Sequence, residues 1–352
     1  LAPNLGKGRP RPCSKIYYMK KNFFFALLGT VLFLTSCSND FEVTAPWKDI
    51  PIVYGLLDIQ DPVHYIRVEK AFLDPDGNAL DIAKIADSLY YSNATVELEK
   101  ISSGERFQLE RVDGNLIGLP RDSGVFATSP NWLYKIDSAQ LKLKRGEEIR
   151  LIINRNNGLP EVTASTAIID TSLLRSPTAQ KGIGFNYNLD TDITWSSPNN
   201  ARVFDVKLIF HYAEFNTDNP TEIQEKTFEW VWAKGFRVDF PESQYTISKV
   251  GRDFYQLLQQ NLESNPKIRR IIQPFEVQII VGGEELEKYI NVSLANVGSI
   301  TSSQELPIYT NLSEGRGIFS SINYRFNDGI QLRQDSRDSL RMGIYTKDLN
   351  FQ

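Results

Sequence analysis

The chain is short of the residues that most often carry chemistry: its 352 residues include two cysteines, two histidines and two methionines. Cys13 precedes the first methionine, Met19, and the other cysteine is Cys37, so the chain beyond Cys37 can build neither a disulfide framework nor a thiolate metal site. His64 and His211 have no HxH or HExxH spacing, which leaves no motif for a histidine-held metal. Also missing are a G-x-S-x-G nucleophile elbow, an internal repeat and an apolar run of the roughly 20 residues needed to cross a bilayer. Gly315-Arg316-Gly317 lacks the following Lys-Ser/Thr of a phosphate loop and reads as a tight turn whose glycines supply positive φ. Nothing calls for a cofactor or a metal.

The longest apolar run, Phe23 to Leu34, lies between Lys20-Lys21 and Cys37. From Met19, MKKNFFFALLGTVLFLTSC has a charged n-region, an apolar h-region and Leu34-Thr35-Ser36 before a cysteine, the arrangement that directs bacterial lipid attachment. The expectation is a signal peptide over 19–36, lipidation of Cys37 and a tether over 37–49. Residues 1–18, basic and rich in Pro and Gly, read as an upstream extension of the gene start. Each buried acyl methylene contributes about 0.8 kcal/mol, so lipid on Cys37 anchors the protein to a membrane without spanning it. No acid directly follows the cysteine in Ser38-Asn39-Asp40-Phe41-Glu42, which points to the outer membrane, on its periplasmic or cell-surface face.

Six basic residues and no acids precede Cys37, so the 39 basic and 43 acidic residues of the whole chain become 33 and 43 after cleavage, a net charge of −10. Such a surface repels phosphate backbones and excludes nucleic acid as a partner. With Phe and Tyr abundant and Met scarce, β structure is favoured.

Ile50 to Asp58 and His64 to Leu73 read as paired strands, with His64 on the face of Ile66 and Val68. Leu80 to Tyr90 has helical spacing. Segments 94–100 and 106–111 suggest a hairpin, and 147–154 and 161–169 two more strands. The Thr/Ser/Pro/Gly-rich stretch 170–184 reads as a linker between an N-terminal β domain over 50–169 and a C-terminal one over 185–352. In the second, Phe204, Val206, Leu208, Phe210 and Tyr212 alternate with Asp205, Lys207 and His211. Phe228, Trp230 and Trp232 repeat that register, Phe275 to Val281 gives another strand, and Ser248 to Leu262 carries a helical stripe.

The lipobox LTSC, PIVYGLLD at 51–58, HYIRVEKAFL at 64–73, DSLYY at 87–91 and IYTNLSEGRGIFSS at 308–321, in this order and spacing, resemble a family of uncharacterised outer-membrane lipoproteins of Bacteroidota, often encoded beside TonB-dependent receptors. The resemblance covers nearly the whole chain from Cys37. It implies a mostly β protein: an immunoglobulin-like or carboxypeptidase-regulatory-like β-sandwich, then a second β domain with one or two packed helices. It carries no activity and no functional residues. Three Asp-Ser-aliphatic triplets, at Ser88, Ser138 and Ser339, resemble the O-glycan acceptor pattern of Bacteroidota.

The remaining candidates are weak beside their structural alternatives. Asp74-Pro75-Asp76-Gly77-Asn78 has its glycine too early for a calcium loop and reads as a turn. Glu284, Glu285 and Glu287 offer the carboxylates of a glycosidase but read as an exposed acidic turn. Phe228, Trp230 and Trp232 would stack on a sugar or a partner if exposed, and are core if buried. A Ser-His-Asp triad draws its members from anywhere in a chain, so a hydrolase with a dispersed site stays open as a second alternative. The expected function is a non-enzymatic interaction or accessory subunit anchored at the outer membrane, partnered with a TonB-dependent receptor, or alternatively a surface lipoprotein binding glycan or peptide.

Overall fold

The structure, a computed structural model, describes residues 49–71, 78–238, 242–297 (backbone only for 295–297) and 308–352. The stretch 19–36 read as a signal peptide, Cys37, residues 38–48 of the expected tether, and Asp74 to Gly77 lie outside the described residues.

Period-two patterning becomes strand wherever one face has a core to meet. β1 (Pro51–Leu57) and β2 (Val63–Lys70) pair antiparallel, and Val53, Leu57, Ile66 and Val68 are buried on one face. Tyr54, Leu56, Tyr65 and Arg67 take the other. The helical spacing after residue 80 yields only two single turns, α1 (Ala79–Ile82) and α2 (Ala86–Leu89). Ala83, Leu89 and Tyr90 are buried but Leu80 and Ile85 are exposed, and Ile85 is extended, so the stripe breaks between the two turns.

β3 (Thr95–Lys100) and β4 (Glu105–Gln108) make the expected hairpin. β5 (Glu110–Asp113) leaves it to pair with β6 (Trp132–Asp137), which runs into the single turn α3 (Ser138–Leu141). β7 (Glu148–Asn154) and β8 (Val162–Ala167) pair as expected. The stretch read as a linker is pinned: it contains β9 (Leu174–Ser176), paired with β10 (Asp190–Ser196), and Ser172 donates to the Ser196 carbonyl at 2.7 Å.

Beyond it come β11 (Val203–Asn216), β12 (Asn219–Arg237) and β13 (Gln244–Val250). The expected helix follows as α4 (Arg252–Asn261), later than its sequence start because Ser248 to Val250 complete β13. β14 (Ile268–Gly282), α5 (Glu284–Val297), β15 (Arg316–Ile330) and α6 (Gln334–Met342) complete the order.

The fold is mostly β. An eight-stranded sheet runs β12-β11-β14-β15-β1-β2-β6-β5, with a three-stranded sheet β13-β10-β9 and a four-stranded sheet β4-β3-β7-β8. One core lies between the four-stranded sheet and the β1, β2, β6 part of the long sheet, uniting Val53, Ile66, Leu98, Leu151, Ile153 and Phe319. The other unites the inward residues of β11, β12 and β14 with Trp195, Phe254, Tyr255 and Leu340. The cores divide near residue 169, but the hydrogen-bonded sheet does not: β15 pairs antiparallel with β14 on one side and parallel with β1 on the other. Gly317 makes that parallel contact: its φ is +113° and a Cβ there would lie 1.9 Å from the Val53 carbonyl oxygen. The positive φ expected of the Gly-Arg-Gly segment is therefore present, though it opens a strand where a turn was expected.

A buried ionic cluster fixes the chain at Asp49, the first described residue. Arg155, with a fully buried side chain, donates to Glu314 at 3.0 Å and to the Pro160 carbonyl at 2.7 Å, and lies 3.5 Å from the Asp49 carboxylate. Asp49 also accepts from Tyr91 at 2.5 Å and Asn157 at 2.7 Å. Burial and the hydrogen bond to Asp49 push the Tyr91 phenol up, so it stays a donor.

Candidate functional site

The outward face of β1 and β2 carries the most developed polar site. Cross-strand register sets Tyr54 beside Arg67 and Ile52 beside Glu69. The loop between β5 and β6 adds Pro120, Arg121, Asp122 and Phe126, enclosing a cleft of about 570 Å³. Glu69 is the pivot: its Oε1 accepts from Arg67 at 3.1 Å and from Arg121 at 2.7 Å. Arg67 also donates to the Asn131 side-chain oxygen at 2.8 Å, and Arg121 to the Tyr90 hydroxyl at 3.2 Å. Asn131, 1% exposed, ties the loop down by donating to the Leu119 carbonyl at 2.8 Å. Gly114 is required beneath it, because a Cβ would come within 2.6 Å of the Asn131 amide nitrogen. With Lys70 and Asp122 at the rim, the cleft holds three cations against two carboxylates.

Its walls are aromatic. The Arg121 guanidinium sits 5.0 Å from the Phe126 ring centre, and Tyr54 and Phe126 are 44% and 43% exposed. Burial, with the hydrogen bond to Tyr289 of α5, pushes the Tyr54 phenol up to about 12, so it remains neutral across physiological pH. A second, apolar hollow of about 450 Å³, walled by Leu286 and Tyr289, adjoins the cleft and shares Tyr54 and Arg67 with it.

His64 does meet a serine and an acid, but in a closed setting. Its Nε2 lies 3.0 Å from Ser138 Oγ, and Asp58 is close enough to act on it electrostatically. The Ser138 hydroxyl donates to the Asp61 carbonyl, so it accepts from a protonated Nε2. That tautomer leaves the buried Nδ1 without a partner and is the reverse of a general base poised on the serine. His64 is 1% exposed, and burial holds its pKa below the ordinary value despite the opposing pull of Asp58. The pair ties the turn after β1 to the β6–α3 corner. His211, on the other core's outer face, lies 3.4 Å from Glu276.

The acidic triplet opens α5, a helix where a turn was expected, and its members diverge. Glu284 pairs with Lys288, Glu285 accepts from Thr166 and Ser320, and Glu287 accepts from Asn291. No two of them flank a common bond. Trp230 and Trp232, candidates for ligand contact, are 7% and 3% exposed, with ring centres 4.6 Å apart, and Phe228 packs half-buried beside them. The row is core, because this part of the long sheet turns that face onto Phe185 and α4. Of the glycan candidates, Ser88 donates to the Ile82 and Ile85 carbonyls, Ser138 to that of Asp61 and Ser339 to that of Asp335. Cys37 lies outside the described residues.

The Arg67–Glu69–Arg121 cleft carried no motif. Alternation places Arg67 and Glu69 on one strand face, but Arg121 joins them from 52 residues away. Among the described residues no cluster of His, Cys, Asp and Glu could hold a metal ion, and no helix is long and apolar enough to cross a membrane.

No protein-family model matches the chain, and no curated protein matches its sequence. Among solved structures, the C-terminal globular domain of an oligosaccharyltransferase from Pyrococcus abyssi is similar over 66% of this chain and 46% of its own, at 12% identity and a TM-score of 0.25. The chain thus spans less than half the length of that neighbour, and so loose a likeness carries nothing about activity.

Proposed function

We propose that the protein is a lipid-anchored, non-enzymatic binding subunit of the outer membrane. The observation that carries this reading is the cleft on β1 and β2: two arginines held on one carboxylate, aromatic walls and an apolar annex form a pre-organised recognition surface. Its three cations outnumber its two carboxylates, and two aromatic side chains flank them, an arrangement suited to holding a ligand. The lipobox ending at Cys37 supports the anchor, and the family it resembles supports an accessory role beside a TonB-dependent receptor.

The test has two parts. Alkyne-palmitate should label the wild type and not Cys37→Ser, and labelled protein should fractionate with outer membranes; an unlabelled wild type ends the anchor reading. Gentle detergent extraction through a C-terminal tag, followed by mass spectrometry, should recover a stoichiometric TonB-dependent receptor if the protein is an accessory subunit. Recovery of the lipoprotein alone removes the receptor and leaves independent ligand capture. O-glycans on Ser88, Ser138 or Ser339 belong to the same proposal, and an intact mass of peptide plus lipid excludes them.

A further inference from the structure

We propose that the β1–β2 cleft binds an acidic saccharide, its carboxylate taken by Arg67 and Arg121 and its ring seated against Tyr54 and Phe126. The inference rests on the binding reading above and names the ligand class for that site. Both guanidiniums are oriented through the same atom type: Arg67 uses Nη1 for Glu69 and Asn131, and Arg121 uses Nη1 for Glu69 and Tyr90. Among the described residues the Nε and Nη2 of each arginine make no hydrogen bond. Nε and Nη2 form the edge that takes a carboxylate bidentately, so two such edges are held in place without a partner among the described residues. One carboxylate shared by two cations leaves a single positive charge on the triad, which a monovalent carboxylate neutralises.

The walls decide between ligand classes. β1 and β2 are interior strands, each paired on both sides, so the cleft offers no free backbone edge for an extended peptide to join. It offers two half-exposed aromatic side chains, Tyr54 and Phe126, against which the C–H face of a pyranose packs, and the Lys70 and Asp122 side chains, which can exchange hydrogen bonds with hydroxyls. The volume, about 570 Å³, is that of an ordinary small-molecule site.

The test is calorimetric titration of the full lipoprotein in detergent with oligosaccharides ending in glucuronate, galacturonate or N-acetylneuraminate, each beside its methyl ester, and with a peptide acid beside its amide. At least one acidic saccharide should bind, with affinity falling as salt rises. Its ester should bind at least about tenfold more weakly, and Arg67→Gln and Arg121→Gln should each weaken the acid by a similar factor without moving the thermal midpoint by more than a few degrees. Ester binding equal to the acid, an Arg121→Gln variant that binds normally, no binding by any of the three acids, or binding of the peptide acid in their place would each overturn the proposal. Failure here is separable from failure of the anchor reading: palmitate labelling with no saccharide bound removes the ligand class alone, and saccharide bound by an unlabelled wild type removes the anchor alone.

Discussion

Replacing Arg155 by Met should be among the most damaging single changes outside the hydrophobic cores. The Arg155 side chain is fully buried, and its removal leaves the 4% exposed Asp49 carboxylate without its cation. Breaking a buried pair from one side costs about 3–5 kcal/mol, because the surviving charge is left uncompensated. Asp49 keeps two donors, Tyr91 and Asn157, and Glu314 is 41% exposed and can hydrate, so the lower end, about 3 kcal/mol, is expected. At roughly 2 °C per kcal/mol for a chain of this size, the thermal midpoint should drop by about 6 °C. Differential scanning calorimetry of the purified protein reads this directly. Arg155→Met combined with Asp49→Asn should recover most of the loss, since the apolar stem still fills the site and the amide needs no counter-charge. Glu314→Gln alone should cost under about 1 kcal/mol, as expected for a half-exposed partner. A single Arg155→Met within about 1 kcal/mol of wild type, or a double variant no better than the single, would refute the reasoning.

Gly317→Ala should prevent stable folding or lower the midpoint more than Arg155→Met does, because it combines a φ of +113° with a Cβ placed 1.9 Å from the Val53 carbonyl oxygen; a normal melt would show that β15 and β1 are not in that register. His64 should make the protein acid-sensitive: the unfolded chain takes up a proton near pH 6.5 while the buried ring, its pKa lowered, resists, so this contribution to stability is intact above about 6.5 and erodes as pH falls towards the folded-state value. Urea melts from pH 8 to 5 should therefore show a shallower loss for His64→Gln than for wild type, and parallel curves would contradict the assignment. Trp230→Ala should cost about 3–5 kcal/mol in urea melts, the usual range for a buried Trp, and a loss below about 1 kcal/mol would place the row in solvent.

Sequence pattern resolves those strands that have one wet face. Phe204 to Tyr212 alternate because β11 turns every second residue onto one core while Lys207 and His211 meet Glu229 and Glu276 outside. β15 gives no such signal: Gly317 to Asn323 are buried without interruption, and Ser320, Ser321 and Asn323 place polar groups where a core pattern expects apolar ones. Their partners explain them, since Ser321 donates to the Leu57 carbonyl and Asn323 to Asp58, contacts some 264 residues distant that no local window contains. α6 is polar nearly all round, with only Ser336 and Leu340 buried, so it lacks a stripe to read. The cleft was half legible: alternation places Arg67 and Glu69 on one face of β2, but Arg121 sits in irregular chain whose placement depends on Asn131 and Gly114.

The position of β15 makes assembly a late event. Every earlier strand of the long sheet can be synthesised and its hairpins formed, yet β1 has no parallel partner, and the N-terminal core lacks Phe319, until the chain beyond Arg316 is available. Pairings across such separations are slow to nucleate, because loop-closure entropy is lost before the contact stabilises anything. A nascent chain would thus lack the contacts that join β1 to β14 until β15 has emerged. Truncation before β15 would leave bare strand edges on β1 and β14, the templates on which chains aggregate, so a C-terminal stop should destroy the whole molecule and not merely shorten it.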